Sequence, residues 1–146
     1  MRNNRIILSL LLIIIFYPFS PFKSETQKRA MTFMDIIQMN RVSSPDISPD
    51  GKWFVYTISV PDWEKSKSFS DIYITPIGGK TKQMTFTKDK NERLRFPKWY
   101  KDSSFFAFLS NRSEDKNQIY FMRPDGVKAW QVTEDKYGVG SFQWTD

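Results

Sequence analysis

The chain has 146 residues, enough for one ordinary domain, with 22 basic and 16 acidic side chains. Its 40% hydrophobic content is too high for a disordered chain, which lacks the apolar surface to offset its ordering entropy. Cysteine and histidine are both absent, which excludes disulfides, thiolate nucleophiles, Cys- or His-ligated metals and a Ser-His-Asp triad, so no cofactor, no metal site and no catalytic residue is expected here.

The first element is apolar. Arg2 and Arg5 precede residues 6–16, IILSLLLIIIF, a basic head and short hydrophobic core that read as a secretory signal peptide or membrane anchor over residues 1–24. The stretch between Arg5 and Lys23 is at the short limit for crossing a bilayer, and Pro18 and Pro21 would disturb a helix there. With Arg2, Arg5 and Lys23 set aside, the remaining positive excess is small and scattered. No stripe tracks a phosphate backbone, so no nucleic-acid partner is expected, and membrane contact is expected only through the N-terminal segment.

A short helix is expected within residues 25–40. Thr32 and Asp35 have capping-box spacing, and Phe33, Ile36, Ile37 and Met39 form one apolar face.

From there the chain repeats. Residues 45–56, PDISPDGKWFVY, align with residues 97–108, PKWYKDSSFFAF, so that Pro meets Pro and Asp50 meets Asp102. Asp71-Ile72-Tyr73-Ile74 matches Gln118-Ile119-Tyr120-Phe121, and Gln83-Met84-Thr85 matches Gln131-Val132-Thr133. A unit of about fifty residues with four short strands describes a propeller blade. Strands are expected at 42–48, 53–60, 71–75 and 81–85, and again at 95–100, 105–110, 118–123 and 128–133. Residues 41–86 then form one blade and residues 87–134 a second. The first strand of a third would lie in residues 135–146, where Trp144 answers Trp99.

The turns between strands suit this assignment. Pro49, Asp50 and Gly51 combine a preset φ, a side chain able to bond the backbone, and a residue free to take positive φ. Asp102 opens the matching turn, with Ser103 where the first unit has glycine, so that turn must differ or carry strain. Gly78 and Gly79, then Asp125 and Gly126, serve the later hairpins. Residues 53–56 and 105–109 are apolar on both faces, as stacked sheets require. The fold class expected is therefore all-β: a partial β-propeller of two four-stranded blades with a short N-terminal helix. Two such blades share one interface and leave two faces open, a liability for an isolated pair.

Residues 31–80 resemble the start of the propeller in the prolyl oligopeptidase family of serine peptidases, in its acylaminoacyl-peptidase and dipeptidyl-peptidase branches. The resemblance rests on Thr32-Phe33-Met34-Asp35-Ile36-Ile37, on Arg41-Val42-Ser43, on residues 48–57 and on Ser70-Asp71-Ile72-Tyr73-Ile74. The Ser-Pro-Asp-Gly turn also resembles TolB-like envelope propellers, which keeps a non-enzymatic interaction module open. The peptidase resemblance implies further blades and an α/β-hydrolase domain as partners, peptides as substrates of the parent, and a propeller that filters their access. It transfers no catalytic residue, because Gly138-Val139-Gly140-Ser141-Phe142 lacks Gly-x-Ser-x-Gly spacing.

Other candidates read as structural. Ser141 has no histidine to activate it. Asp62-Trp63-Glu64 and Glu114-Asp115 are acidic clusters beside Lys65, Lys67 and Lys116, without ligand spacing. Residues 61–70 are expected to form a loop, with Trp63 and Phe69 packing on the blade rim. Asn111-Arg112-Ser113 matches a glycosylation acceptor, and residues 88–95, KDKNERLR, read as a solvated connector.

Overall fold

The computed structural model describes residues 29–113, 115–126 and 128–145. The apolar segment at residues 1–24 lies outside the described residues. Helix α1 spans Phe33–Ile37 and is closed by the capping box: the Asp35 N–H donates to Thr32 Oγ1, and the Thr32 N–H donates to Asp35 Oδ2 at 2.7 Å. It buries none of its residues.

Eight strands follow: β1 (Arg41–Ile47), β2 (Trp53–Asp62), β3 (Lys67–Pro76), β4 (Lys82–Gln83), β5 (Leu94–Trp99), β6 (Phe106–Ser110), β7 (Gln118–Met122) and β8 (Trp130–Gln131). They form two antiparallel sheets, β1-β2-β3-β4 and β5-β6-β7-β8, each a meander of consecutive strands. The chain is a nearly all-β pair of propeller blades.

The repeat extends to irregular backbone. The β1–β2 register shifts between Ser43 and Asp46, and the β5–β6 register shifts between Arg95 and Lys98. Each bulge holds a residue at positive φ, Ser44 (+50°) or Phe96 (+54°), followed by Pro45 or Pro97. A proline suits a bulge because it has no N–H to offer the ladder.

Four strands differ clearly in length from the sequence reading, β2 and β3 being longer and β4 and β8 shorter. The 61–70 segment is not a loop: β2 and β3 stay paired to Asp62↔Lys67, with Val60↔Phe69 and Ser59↔Ser70 on the way. Conversely, β4 and β8 have only two residues each. Beyond them a threonine hydroxyl replaces the carbonyl acceptor. The Ile72 N–H donates to Thr85 Oγ1 and the Ile119 N–H to Thr133 Oγ1, each at 2.9 Å.

One core lies between the sheets. Val55, Ile72, Ile74 and Met84 of the first pack with Leu94, Trp99, Phe106, Phe108, Tyr120 and Met122 of the second. All of β6 is buried. In β2 only Val55 and Thr57 are, so the expectation of strands covered on both faces holds for one blade and not the other. The outer face of the second blade carries Ala107 and Leu109, both fully covered. The C-terminal segment lies on that blade: the Val139 N–H donates to Asn117 O at 2.7 Å, and the Trp144 ring meets Tyr100, Phe105 and Phe121. Residues 141–145 join no ladder, so Trp144 acts here as a packing group. Among the described residues nothing covers the outer face of the first blade, where Val42, Ile47, Phe54 and Val60 are exposed. Among the described residues one face therefore stays open, rather than two.

Candidate functional site

A hydrogen-bonded polar cluster recurs in both blades and is built from the repeated sequence. In the first, the Asp71 carboxylate accepts from Thr85 Oγ1 and the Thr87 N–H, both at 2.9 Å, and from Gln83 Nε2 at 3.1 Å. In the second, Gln118 Oε1 accepts from Thr133 Oγ1 at 2.8 Å and the Asp135 N–H at 3.0 Å, and its Nε2 donates to Asp135 O. Gln83 and Gln131 each donate to the carbonyl two residues on. The cluster pins the strand leaving each blade to β3 or β7, and its acceptors are occupied. It is a clamp, with nothing directed at a ligand.

The structure separates the other candidates. Ser141 is exposed. Asp62 caps the hairpin tip, accepting from the Lys65 N–H at 3.0 Å, while Glu64 is exposed beside it. Asp115 is exposed within reach of Asn91, and Glu114 lies outside the described residues. Among the described residues no three acidic side chains converge on a common point. Asn111 is buried: its Oδ1 accepts from the Arg93 N–H at 2.7 Å and its Nδ2 donates to Asn91 O, which spends the amide a glycan would need. The 88–95 connector is not simply solvated. Glu92 is largely buried and holds Arg112, whose guanidinium lies over the Phe108 and Tyr120 rings. Sequence reasoning missed both, because the partners lie about twenty residues apart and no local pattern joins them.

The two ends of the blades differ in chemistry. One end collects the short polar turns. Gly51 (φ +70°) and Ser103 (φ +62°) hold equivalent positions, with the Gly51 N–H donating to Ser48 O and the Ser103 N–H to Tyr100 O. Serine thus adopts the glycine conformation. The two turns touch, as the Asp50 N–H donates to Ser103 Oγ at 3.0 Å. The Ser48 hydroxyl, then the Lys52 N–H, hold the Asp50 carboxyl below the usual carboxylate range; the Ser104 hydroxyl and N–H do the same for Asp102. Gly78 and Gly126 also take positive φ, beside Gly79 and Asp125. A Cβ on Gly79 would fall 2.4 Å from Pro76 Cγ. The Pro49 that opens the first turn is exposed.

At the opposite end the first blade exposes apolar side chains beside a charged hairpin tip with Asp62, Glu64, Lys65 and Lys67. Here α1 leads into β1, and the β2–β3 hairpin runs past the blade to a tip at residues 63–66. Met31, Phe33, Met34, Ile36 and Met39 are exposed, and so is Trp63 at 55%. Trp63 does not fold back on the rim; Phe69, paired with Val60, does sit in the sheet. A cleft of about 530 Å³ separates α1 from the hairpin, and a second of about 350 Å³ lies on the other flank of Trp63. Lys65 ties the tip to the blade connector through an ion pair with Asp89. That bond raises the Lys65 ammonium above its ordinary pKa and lowers the Asp89 carboxyl. This end is the candidate interaction surface.

No protein-family profile matches the chain. Its sequence is similar to an uncharacterized peptidase, YuxL, of Bacillus subtilis, at 32% identity over 120 residues, which is 81% of this chain and 18% of the relative. It is also similar to dipeptidyl-peptidase 5 of Porphyromonas endodontalis, at 26% identity over 127 residues, 86% of this chain and again 18% of the relative. The chain therefore spans about a fifth of the length of these relatives. Among solved structures, a protein of Agrobacterium tumefaciens assigned as TolB superposes on 67% of this chain and 32% of its own, with a TM-score of 0.53 at 27% identity.

Proposed function

We propose, from the premise that this chain is a β-propeller segment homologous to larger peptidases, that it opens the propeller of an exported serine peptidase of the prolyl oligopeptidase type. In this reading the blades help to form a ring that filters peptides before they reach a hydrolase domain in the rest of the parent. The chain supplies fold and surface, and catalysis belongs elsewhere. The observation that carries the reading is the combination of stacked blades with a peptidase match spanning 18% of the relative. Export is part of the proposal, through the segment at residues 1–24. No helix among the described residues is long and apolar enough to cross a membrane.

The test is to read the coding sequence beyond codon 146, express the complete product and label it with a fluorophosphonate directed at activated serines. The expected result is a labelled serine in a downstream Gly-x-Ser-x-Gly and no label within residues 1–146. Labelling of this chain alone, or a complete product without such a serine, would refute the reading. The second outcome would favour a TolB-like envelope module without catalysis, for which the 0.53 TM-score superposition is the supporting observation.

A further inference from the structure

The two sheets meet along the edges formed by β1 and β5. Strand β5 packs against β1, β2 and β3, whereas β4 and β8 pack chiefly on β3 and β7 of their own sheets. The Asp46 carboxylate of β1 accepts from the Trp99 N–H of β5 at 2.8 Å and pairs with Lys98 at 3.3 Å. These are the inner strands, from which each meander runs outward to its two-residue last strand. The positive excess that is scattered along the sequence is gathered on them. Arg41 opens β1, Arg93 directly precedes β5, and Arg95 and Lys98 lie within β5; all four are exposed. Arg41, Arg93 and Arg95 have no ion-pair partner among the described residues. Asp46 is the one carboxylate in either strand, and Lys98 and the Trp99 N–H already engage it. The carboxylates just outside are spent as well. Glu92 holds Arg112, Asp89 holds Lys65, and Asp50 and Asp102 are hydrogen-bonded within their own turns.

Like charges held along one wall focus the field there and raise the local concentration of the opposite charge. We propose that this inner edge selects anionic peptides: an extended peptide lies along β1 and β5 with its Asp or Glu carboxylates on Arg41, Arg93 and Arg95. The inference rests on the peptidase reading for its role and names the substrate class, since the propeller of the parent would then admit acidic peptides in preference to basic ones. Guanidinium groups suit the task because each can grip a carboxylate through two parallel hydrogen bonds. A nucleic acid fits less well. Its phosphates call for an unbroken row of cations, and Asp46 interrupts the row where the two strands meet.

The full 146-residue chain is titrated with labelled extended peptides that are identical except for glutamate, glutamine or lysine at alternate positions, with anisotropy as the readout. The glutamate peptide is expected to bind about tenfold tighter than the glutamine peptide, with the advantage falling as salt is raised, and the lysine peptide most weakly. The double variant Arg93→Gln, Arg95→Gln is expected to remove about tenfold from the glutamate peptide and nothing from the glutamine peptide. Lys67→Gln with Lys80→Gln removes the same charge away from the inner edge and is expected to change neither. All four side chains are exposed, so circular dichroism of both variants is expected to match the parent chain. Equal affinity for the glutamate and glutamine peptides overturns the proposal. An equal loss in the Lys67, Lys80 variant does so too, because net charge would then be the cause. Binding of a single-stranded oligothymidylate that is lost in the Arg93, Arg95 variant, with no peptide bound, would make the occupant a nucleic acid and equally overturns it. In the complete gene product the same arginine pair is expected to lower the ratio of kcat/KM for glutamate over glutamine peptides about tenfold. A product that the fluorophosphonate labels but whose ratio does not move sinks this inference alone, whereas the peptidase reading fails on the absence of label.

Discussion

The two blades are built from one repeat, yet they experience different surroundings. The second is covered on both faces, by the first blade and by the C-terminal segment with Trp144, and its central strand is buried at every position. The first is covered on one face, and its central strand alternates between buried and partly exposed residues. Similar sequences thus reach different burial because a blade is a single layer whose stability depends on its neighbours. The bare face of Ile47, Phe54 and Val60 is what a further layer would cover.

The sharpest way to break this comparison is to truncate equivalent aromatics. Phe54 and Phe106 are aligned by the repeat, but Phe106 is fully buried and Phe54 is 36% exposed. Phe106→Ala is expected to cost about 3–5 kcal/mol in urea unfolding, and Phe54→Ala under about 1.5 kcal/mol. Equal losses would mean the first blade's face is covered in solution. Next in size is the C-terminal cover. Trp144→Ala is expected to cost about 2–3 kcal/mol and to raise binding of a hydrophobic dye, making the second blade resemble the first. An unchanged midpoint would show that residues 138–144 do not protect that face.

A smaller contrast lies in the two clamps. Asp71→Ala strands the Thr87 N–H in a fully buried residue and is expected to cost about 2–3 kcal/mol, against about 1–1.5 kcal/mol for Gln118→Ala, because bonds to a charged acceptor are the stronger ones. Reversed magnitudes in thermal melts would refute that ranking.

The turns give a pH test. Asp50 and Asp102 have folded pKa values below the ordinary 3.8, so their contribution is present above that value and is lost as pH falls through the lower, folded one. Stability should therefore drop only below about pH 4 on their account. In a carboxyl NMR titration, Ser48→Ala should move Asp50 upward and leave Asp102 in place; movement of both would show that the turns are coupled. The smallest effect belongs to Ser103. Ser103→Gly relieves about 1 kcal/mol of left-handed strain and loses an exposed hydrogen bond of about the same size, so the net change is expected within about 0.5 kcal/mol. Ser103→Ala keeps the strain and loses the bond, and should be the less stable variant.

Much of this architecture is readable along the chain. The capping box at Thr32 and Asp35, the Pro-bearing bulges and the Asp50 and Asp102 turns are local chemistry, decided within a few residues. The Asp71 and Gln118 matches were visible as repetition before their hydrogen bonds explained them. The candidate surface was only partly legible. Phe33, Ile36 and Met39 were recognisable as a helix face, but nothing nearby in sequence indicated that they would stay uncovered or that Trp63 would stand beside them.

Sequence alone determined the period, the strand order and the absence of histidine and cysteine side chains, because strand alternation and turn propensity act over neighbouring residues, whereas the ends of β2, β3, β4 and β8 did not follow from it. Tertiary structure alone decided which face of each blade is buried, why Glu92 and Asn111 are spent on clamping a connector, and where α1 meets the hairpin tip. Those outcomes depend on groups about twenty or more residues apart meeting in space, and burial belongs to the pair that meets rather than to either member.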